Sequence, residues 1–242
     1  MKVAFLTLGC KVNQYETNGM IQEFKNSGYE VVEFEEKADI YIINTCTVTN
    51  MSDRKSRQFL RQAKKNNSEG IVVAVGCYAQ VAKEELEKIP EIDLVLGTNE
   101  KVKVVKYIEE FLKDKEKNTL IDDVFESKKF EDFGSVTYTE KTRAVIKVQD
   151  GCDRFCSYCI IPYARGRVRS RNPESVLKEI EEIAQSGIKE VVITGIHVAS
   201  YGKDFKEEYK LIDLLEDINK ISGIERIRLR FNRATSNNRR IY

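Results

Sequence analysis

The 242 residues contain no apolar run that approaches a membrane-spanning helix, and the longest, IVVAVGCYA at residues 71–79, has strand length. Met1 leads through one lysine into VAFLTLGC, without the long apolar region and small-residue cleavage site of a signal peptide. A cytoplasmic protein with no membrane partner is therefore expected. Charge of neither sign prevails, because 40 basic and 39 acidic side chains leave a net +1. That balance speaks neither for nor against nucleic acid, since a site can be basic on a neutral protein. There is one histidine, His197, so a metal site must rely on other donors or on this single imidazole. Repeats and low-complexity segments are absent. The hydrophobic content of 41% beside 33% charged residues is that of an ordinary globular chain. Six cysteines are present, and a disulfide framework is not expected in a cytosolic chain of this length. Reduced, buried thiols are the plain reading, so position has to decide.

Strand and helix patterns alternate along the first hundred residues. Apolar runs at 3–9, 39–45, 71–76 and 94–97 read as strands. Amphipathic stretches at 13–26, 52–65, 83–88 and 102–112 read as helices, the second capped by Ser52 or Asp53. Such alternation predicts a parallel sheet covered on both faces. Residues 113–141 lose the periodicity and read as a charged linker with room for a short strand or two. A second series follows: strands at 144–149, 191–195 and 227–229, and helices at 173–185 and 211–219, the first with Pro173 in its opening turn.

Four of these strands deliver a cysteine just past their carboxyl end, where open parallel sheets gather ligands: Cys10, Cys46, Cys77 and Cys152. Inert core thiols have no reason to choose that position. GCDRFCSYC, residues 151–159, places Cys152, Cys156 and Cys159 on one loop, three ligands where a closed zinc site has four. Three thiolates on a four-iron cluster leave one iron open to a substrate or cofactor. The amino and carboxylate groups of S-adenosylmethionine suit such an iron. Cys10, Cys46 and Cys77 form a second set of three, assembled from distant segments. A zinc or iron–sulfur interaction module, with His197 as an added ligand, is the alternative from outside enzymology.

The C-x3-C-x2-C run, with Tyr158 before its last cysteine, resembles the radical S-adenosylmethionine superfamily. TLGCKVNQYET (7–17), INTCTVTNMSDRKSRQ (43–58) and VAVGCYAQ (73–80) resemble the amino-terminal domain of the methylthiotransferases. IPYARGRVRSR (161–171) and ITGIHVASYG (193–202) resemble that family's radical domain. Among its branches, GCKVNQYET and NTCTVTN are most similar to the MtaB type, rather than to those reading GCQMN or GC-x-KN with VDSE. The resemblance implies an α/β fold, with an amino-terminal parallel-sheet domain at 1–112, a linker at 113–141 and an incomplete radical SAM (β/α) partial barrel at 142–229. It implies two 4Fe-4S clusters on the six cysteines and two uses of S-adenosylmethionine. One molecule methylates sulfur at the cluster of Cys10, Cys46 and Cys77. The other is cleaved reductively at the cluster of Cys152, Cys156 and Cys159. The implied reaction adds a methylthio group to C2 of N6-threonylcarbamoyladenosine beside the anticodon of tRNA. Action on a ribosomal protein is the alternative within the family. A reductase or flavodoxin-type donor would supply the electrons.

Other residues carry weaker expectations. Tyr158 is a candidate for the cofactor's adenine and Gly195 for close backbone approach of the cofactor, with packing and a strand-end turn as the alternatives. Asn13 and Asn44 are candidates for hydrogen bonds around the second triad, or for caps and turns. Arg165, Arg167, Arg169 and Arg171 alternate and in an extended segment would share a face, toward phosphates or toward solvent. Asp53, Arg54, Lys55 and Arg57 read as an exposed helix face, or as a cover for the second triad. His197 reads as an ordinary polar contact. Residues 230–242, RFNRATSNNRRIY, match neither the family nor a buried pattern. Dropping one base from a back-translation of them gives Gly-Ser-Ile-Glu-Pro-Gln, the continuation the resemblance implies. A frameshifted tail, and a truncated chain inactive on its own, are therefore expected.

Overall fold

The computed structural model describes residues 1–116, 118–137 and 142–230. Strands β1 (Lys2–Thr7), β2 (Glu30–Val32), β3 (Ile40–Thr45), β4 (Ile71–Gly76), β5 (Leu94–Leu96) and β6 (Asn118–Leu120) form one sheet in the order β2-β1-β3-β4-β5-β6. Every pairing in it is parallel. Helices α1 (Lys11–Asn26), α2 (Asn50–Asn66), α3 (Cys77–Val81), α4 (Lys83–Glu87) and α5 (Val104–Asp114) make the connections. The second sheet contains β7 (Ala144–Asp150), β8 (Arg169–Ser170), β9 (Glu190–Gly195) and β10 (Arg226–Leu229), ordered β10-β9-β7-β8. Only β8 runs antiparallel there. Helices α6 (Ile161–Arg165), α7 (Pro173–Gln185) and α8 (Leu211–Ile218) complete that half.

The apolar runs become strands because both faces are covered. β3 is buried at every residue. Its Tyr41 and Ile43 enter one core with Leu60 and Ala63 of α2. Its Ile40 and Ile42 enter another with Tyr15, Met20 and Phe24 of α1 and Ile108 of α5. A third core joins Ile146, Val148 and Ile193 of the second sheet to Val176, Ile180 and Ile183 of α7. The expected strands and helices are all present, with ends displaced by a residue or two. The start of α2 differs: Thr49, not Ser52 or Asp53, is its cap, accepting from the Ser52 N–H at 3.2 Å. Four short elements were not expected: β2, β8, α3 and α6. β6, within the expected linker, adds the outer strand of the first sheet. Of the 230–242 tail, only Arg230 lies within the described residues. No helix among the described residues is long and apolar enough to cross a membrane.

Helix α1 lies between the two sheets, touching β1 on one side and β7 and β9 on the other. Its Glu16, fully buried, accepts from Lys147 at 2.7 Å, Arg165 at 2.8 Å and Lys101 at 2.9 Å. Asp150 receives Lys147 at 2.6 Å and Arg165 at 3.0 Å. Burial alone would push the Glu16 carboxyl up; Arg165, Lys101 and Lys147 overturn that and hold it well below its ordinary value. Burial and then Arg165 and Lys147 act in the same two senses on Asp150, which is also held low. A second buried contact sits further along α1. The Tyr15 hydroxyl donates to Glu179 at 3.2 Å, and Arg171 reaches Glu179, Asp132 and the Gly134 carbonyl.

Removing one partner from a buried ionic cluster strands the others, at a cost of about 3–5 kcal/mol. Glu16→Gln is therefore expected to lower unfolding stability at pH 7 by about 3 kcal/mol. A carboxyl with a depressed folded pKa contributes above its unfolded pKa and loses that contribution as pH falls through the folded value. The difference between wild type and variant should thus be full at pH 7 and shrink below about pH 4.3; urea titrations across that range read it.

Gly166, after α6, has φ 71° and ψ −158°, a region that is essentially glycine's alone. A Cβ there would stand 2.1 Å from the Val124 carbonyl oxygen. Gly166→Ala should cost at least about 2 kcal/mol in the same titrations. Gly187→Ala, also at positive φ but with nothing within 4 Å of the added carbon, should cost less.

Candidate functional site

Cys10 follows β1 and caps the amino end of α1, Cys46 follows β3, and Cys77 opens α3 straight after β4. These are three adjacent strands of one parallel sheet, so their carboxyl ends bring the three thiols to one rim. All three line a cavity of about 540 Å³. Its other walls include Ile161 and Arg165 of α6, Ile196 just past β9 and Arg230 just past β10. The carboxyl ends of both sheets thus open onto the same space, where α/β folds hold their ligands.

Backbone approach at this rim is close. Gly9 has φ 98°, and a Cβ on it would lie 2.9 Å from the Cys46 sulfur. Asn13 ties the loops together, donating to the Leu8 carbonyl at 2.8 Å and the Thr45 carbonyl at 3.1 Å. Asn44 donates to the Asn13 carbonyl at 3.0 Å and to the Thr17 hydroxyl at 3.1 Å. Its own Oδ1 is buried without a hydrogen-bond partner. Both asparagines expected near this triad are there, and both shape the loops that carry it.

Arg165 was expected in a row with Arg167, Arg169 and Arg171, and that row does not exist. α6 ends at Arg165, Gly166 turns the chain, and only Arg169 and Ser170 are strand. Arg165, Arg169 and Arg171 are buried and bonded inside the protein. Arg167 alone is exposed, 3.6 Å from Asp153. Three of the four are therefore closed to phosphates and to bulk solvent. Arg165 spends every polar atom on the domain contact and the thiol rim. Nε donates to the Cys77 sulfur at 3.2 Å, Nη2 to Asn13 Oδ1 at 2.6 Å, and Nη1 to Glu16 and Asp150. Burial pushes the Cys77 thiol up, and the Arg165 and Lys101 charges pull the other way.

Cys152, Cys156 and Cys159 occupy the loop between β7 and α6, and all three are half-buried. The Cys152 N–H donates to the Gly166 carbonyl at 3.0 Å, and a tight turn joins the Cys159 N–H to the Cys156 carbonyl at 2.9 Å. Between them Phe155 adopts φ 43°, left-handed backbone, with its ring stacked on Phe125 at 6.1 Å. Tyr158 is 79% exposed. Gly195 has a packing reason: a Cβ there would meet the Gln149 carbonyl at 2.9 Å, beside the register shift between β7 and β9. His197 makes ordinary polar contacts, with Nδ1 2.7 Å from the Ser200 hydroxyl. Lys55 lines the thiol cavity, while Arg57 turns to Glu85 and Tyr78.

The donor set suits an iron–sulfur cluster better than a single ion. Thiolates are the usual cluster ligands. The rim offers three of them around a roomy cavity. The ion pairs beside Cys77 join three cations, Lys101, Lys147 and Arg165, to two carboxylates, Glu16 and Asp150. Sequence reasoning missed Glu16, Lys101 and Lys147. A lysine within the apolar run 144–149 was the available signal, because a buried strand cannot carry a cation without an anion opposite it.

Residues 2–97 match the model of the Uncharacterized protein family UPF0004, and residues 146–240 that of the Radical SAM superfamily. Threonylcarbamoyladenosine tRNA methylthiotransferase MtaB of Aquifex aeolicus is 49% identical over 95% of this chain and 55% of its own. Its counterpart in Bacillus subtilis is 44% identical over 94% of this chain and 50% of its own. Ribosomal protein uS12 methylthiotransferase RimO of Desulfitobacterium hafniense is 39% identical over 95% and 52%. The chain thus spans about half the length of the curated relatives it matches. Among solved structures, the radical S-adenosylmethionine methyltransferase TsrM of Kitasatospora setae overlays with a TM-score of 0.59 at 14% identity, covering 89% of this chain and 50% of that one. That overlay speaks for the fold, and the two domain matches together with the relatives speak for the family. The chain thus carries a UPF0004 domain followed by a radical SAM domain, and it is similar to methylthiotransferases over nearly its whole length.

Proposed function

We propose that this chain carries two four-iron clusters, one on Cys10, Cys46 and Cys77 and one on Cys152, Cys156 and Cys159. We propose further that it serves methylthiolation at C2 of N6-threonylcarbamoyladenosine in tRNA. One observation carries the reading: two separate thiol triads, each one ligand short of a closed cubane, at the carboxyl ends of two sheets that share a cavity. Sequence identity adds the substrate, being higher to the two MtaB relatives at 49% and 44% than to the ribosomal-protein relative at 39%. When bound, the clusters and S-adenosylmethionine supply the one-electron chemistry that an unactivated adenine C–H demands and no side chain offers.

The chain's own residues hold and orient. The rims of β1, β3 and β4 fix the spacing of three thiols, and Asn13 locks the loops that bear two of them. Ile161 and Ile196 give the cavity an apolar wall from the second domain that limits water. Tyr158 remains proposed for contact with a cofactor on the outer loop, and its exposure beside Cys159 supports that role. Gly195 remains proposed for backbone approach by the same cofactor, alongside its packing role. The setting is cytoplasmic, where tRNA and a flavodoxin-type or other reductase are at hand.

Anaerobic reconstitution with iron and sulfide tests the cofactor reading. About eight irons per chain are expected, and about four in each triple variant, Cys10→Ala/Cys46→Ala/Cys77→Ala or Cys152→Ala/Cys156→Ala/Cys159→Ala. Stoichiometric zinc, or eight irons retained in either variant, would sink it. The substrate is read separately, by competition binding of the reconstituted protein to tRNA with and without N6-threonylcarbamoyladenosine and to ribosomal protein, a readout that needs no turnover from a chain expected to be inactive on its own. Preference for the modified tRNA is the expected result; preference for the ribosomal protein instead would move the chain to the other branch.

A further inference from the structure

Arg165 stands between the inner thiol rim and the base of the loop that carries the outer cysteines. Its Nε–H points at the Cys77 sulfur, 3.2 Å away, and both side chains are buried. Its Nη2 donates to Asn13 Oδ1 at 2.6 Å, and the same oxygen is 3.8 Å from the Cys10 sulfur. On the other side Arg165 holds Asp150 through Nη1, and Asp150 Oδ1 accepts the Gly151 N–H at 2.8 Å, one residue before Cys152. The next residue in the chain, Gly166, accepts the Cys152 N–H at 3.0 Å. One side chain therefore touches a thiol of the inner triad directly, a second through Asn13, and the base of the outer loop through Asp150, with the neighbouring Gly166 carbonyl bonded to Cys152.

We infer that Arg165 is a positioning and tuning residue for the inner triad: its N–H bond to the Cys77 sulfur raises the reduction potential of the cluster held by Cys10, Cys46 and Cys77. The inference rests on that triad holding a cluster. Hydrogen bonds to the sulfurs and nearby charge are among the factors that set cluster potentials. A donor that carries positive charge stabilises the electron-rich, reduced form more than the oxidised one, and burial of the donor weakens the screening of its charge. The guanidinium's remaining donors are fixed by two carboxylates and an amide, so the Nε–H cannot swing away. The outer triad receives no side-chain bond from Arg165, so its potential should not follow.

The test uses the anaerobically reconstituted full chain and redox titrations followed by electron paramagnetic resonance. The Cys152→Ala/Cys156→Ala/Cys159→Ala background isolates the inner cluster, and the Cys10→Ala/Cys46→Ala/Cys77→Ala background the outer one. Arg165→Met in the first background should cut the reduced-to-oxidised ratio at a fixed potential about tenfold, equal to about 59 mV for a one-electron couple. In the second background it should leave the ratio unchanged. Arg165→Lys keeps a cation near Glu16 and Asp150 while losing the planar fork, and should shift the inner cluster in the same direction even where the methionine variant assembles poorly. Arg171→Lys, at the other buried contact between the domains, should shift neither cluster. Equal movement of both clusters, no movement with Arg165→Lys, or a matching shift from Arg171→Lys would overturn the inference. Failure of the unsubstituted inner triad to assemble iron would remove the cluster reading itself, and iron analysis before the titration separates that outcome from the others.

Discussion

One carboxylate, Glu16, holds the two halves of this molecule in register. It sits on the helix that both sheets share, and it faces a lysine from the first domain and a lysine and an arginine from the second. Each of these groups would be costly to bury alone. Together they are mutually required, because any rearrangement that slides one sheet past the other strands several charges at once. Apolar contact across α1 tolerates small shifts, whereas a fork of short, directional bonds to one carboxylate does not. The ionic cluster thus fixes geometry where the surrounding cores supply adhesion.

That fixed geometry is what gives the thiol rim a second wall. The first sheet alone brings Cys10, Cys46 and Cys77 to adjacent strand ends, with spacing set by the distance between neighbouring strands. The space above them becomes a cavity only because α6 and the ends of β9 and β10 stand opposite. Arg165 belongs to both arrangements, as an ion-pair partner below and a hydrogen-bond donor to sulfur above. Docking of the domains and completion of the site are for that reason a single structural event.

The sequence showed β3, β4, β5, β7 and β9 because they are buried on two faces and read as apolar runs. It showed four of the six cysteines just past strand ends, since a strand's end is a local property, and the other two by their spacing on one loop. It hid the arginines. Alternation at 165, 167, 169 and 171 suggested one extended face, but Gly166 breaks the segment into a helix end, a turn and a two-residue strand. Arg165's main partner, Glu16, lies 149 residues away, and Lys147's lies 131 away, beyond any local pattern. Gly195 was read for ligand approach, yet the close neighbour the structure supplies is the next strand. β8 and α6 are too short for periodicity to announce them.

The two triads differ in what holds them, and that difference bears on how they respond to change. The inner three thiols come from three strands, so their relative placement is as rigid as the sheet core beneath them. The outer three share an eight-residue loop whose shape depends on local turns, on left-handed backbone at Phe155 and on the stacking of Phe125. A loop of that kind can adjust around a cofactor, while a sheet rim can only accept one that fits. The hydrogen bond from Cys152 to Gly166, adjoining Arg165, is the short path along which a strain in the adaptable site would reach the rigid one.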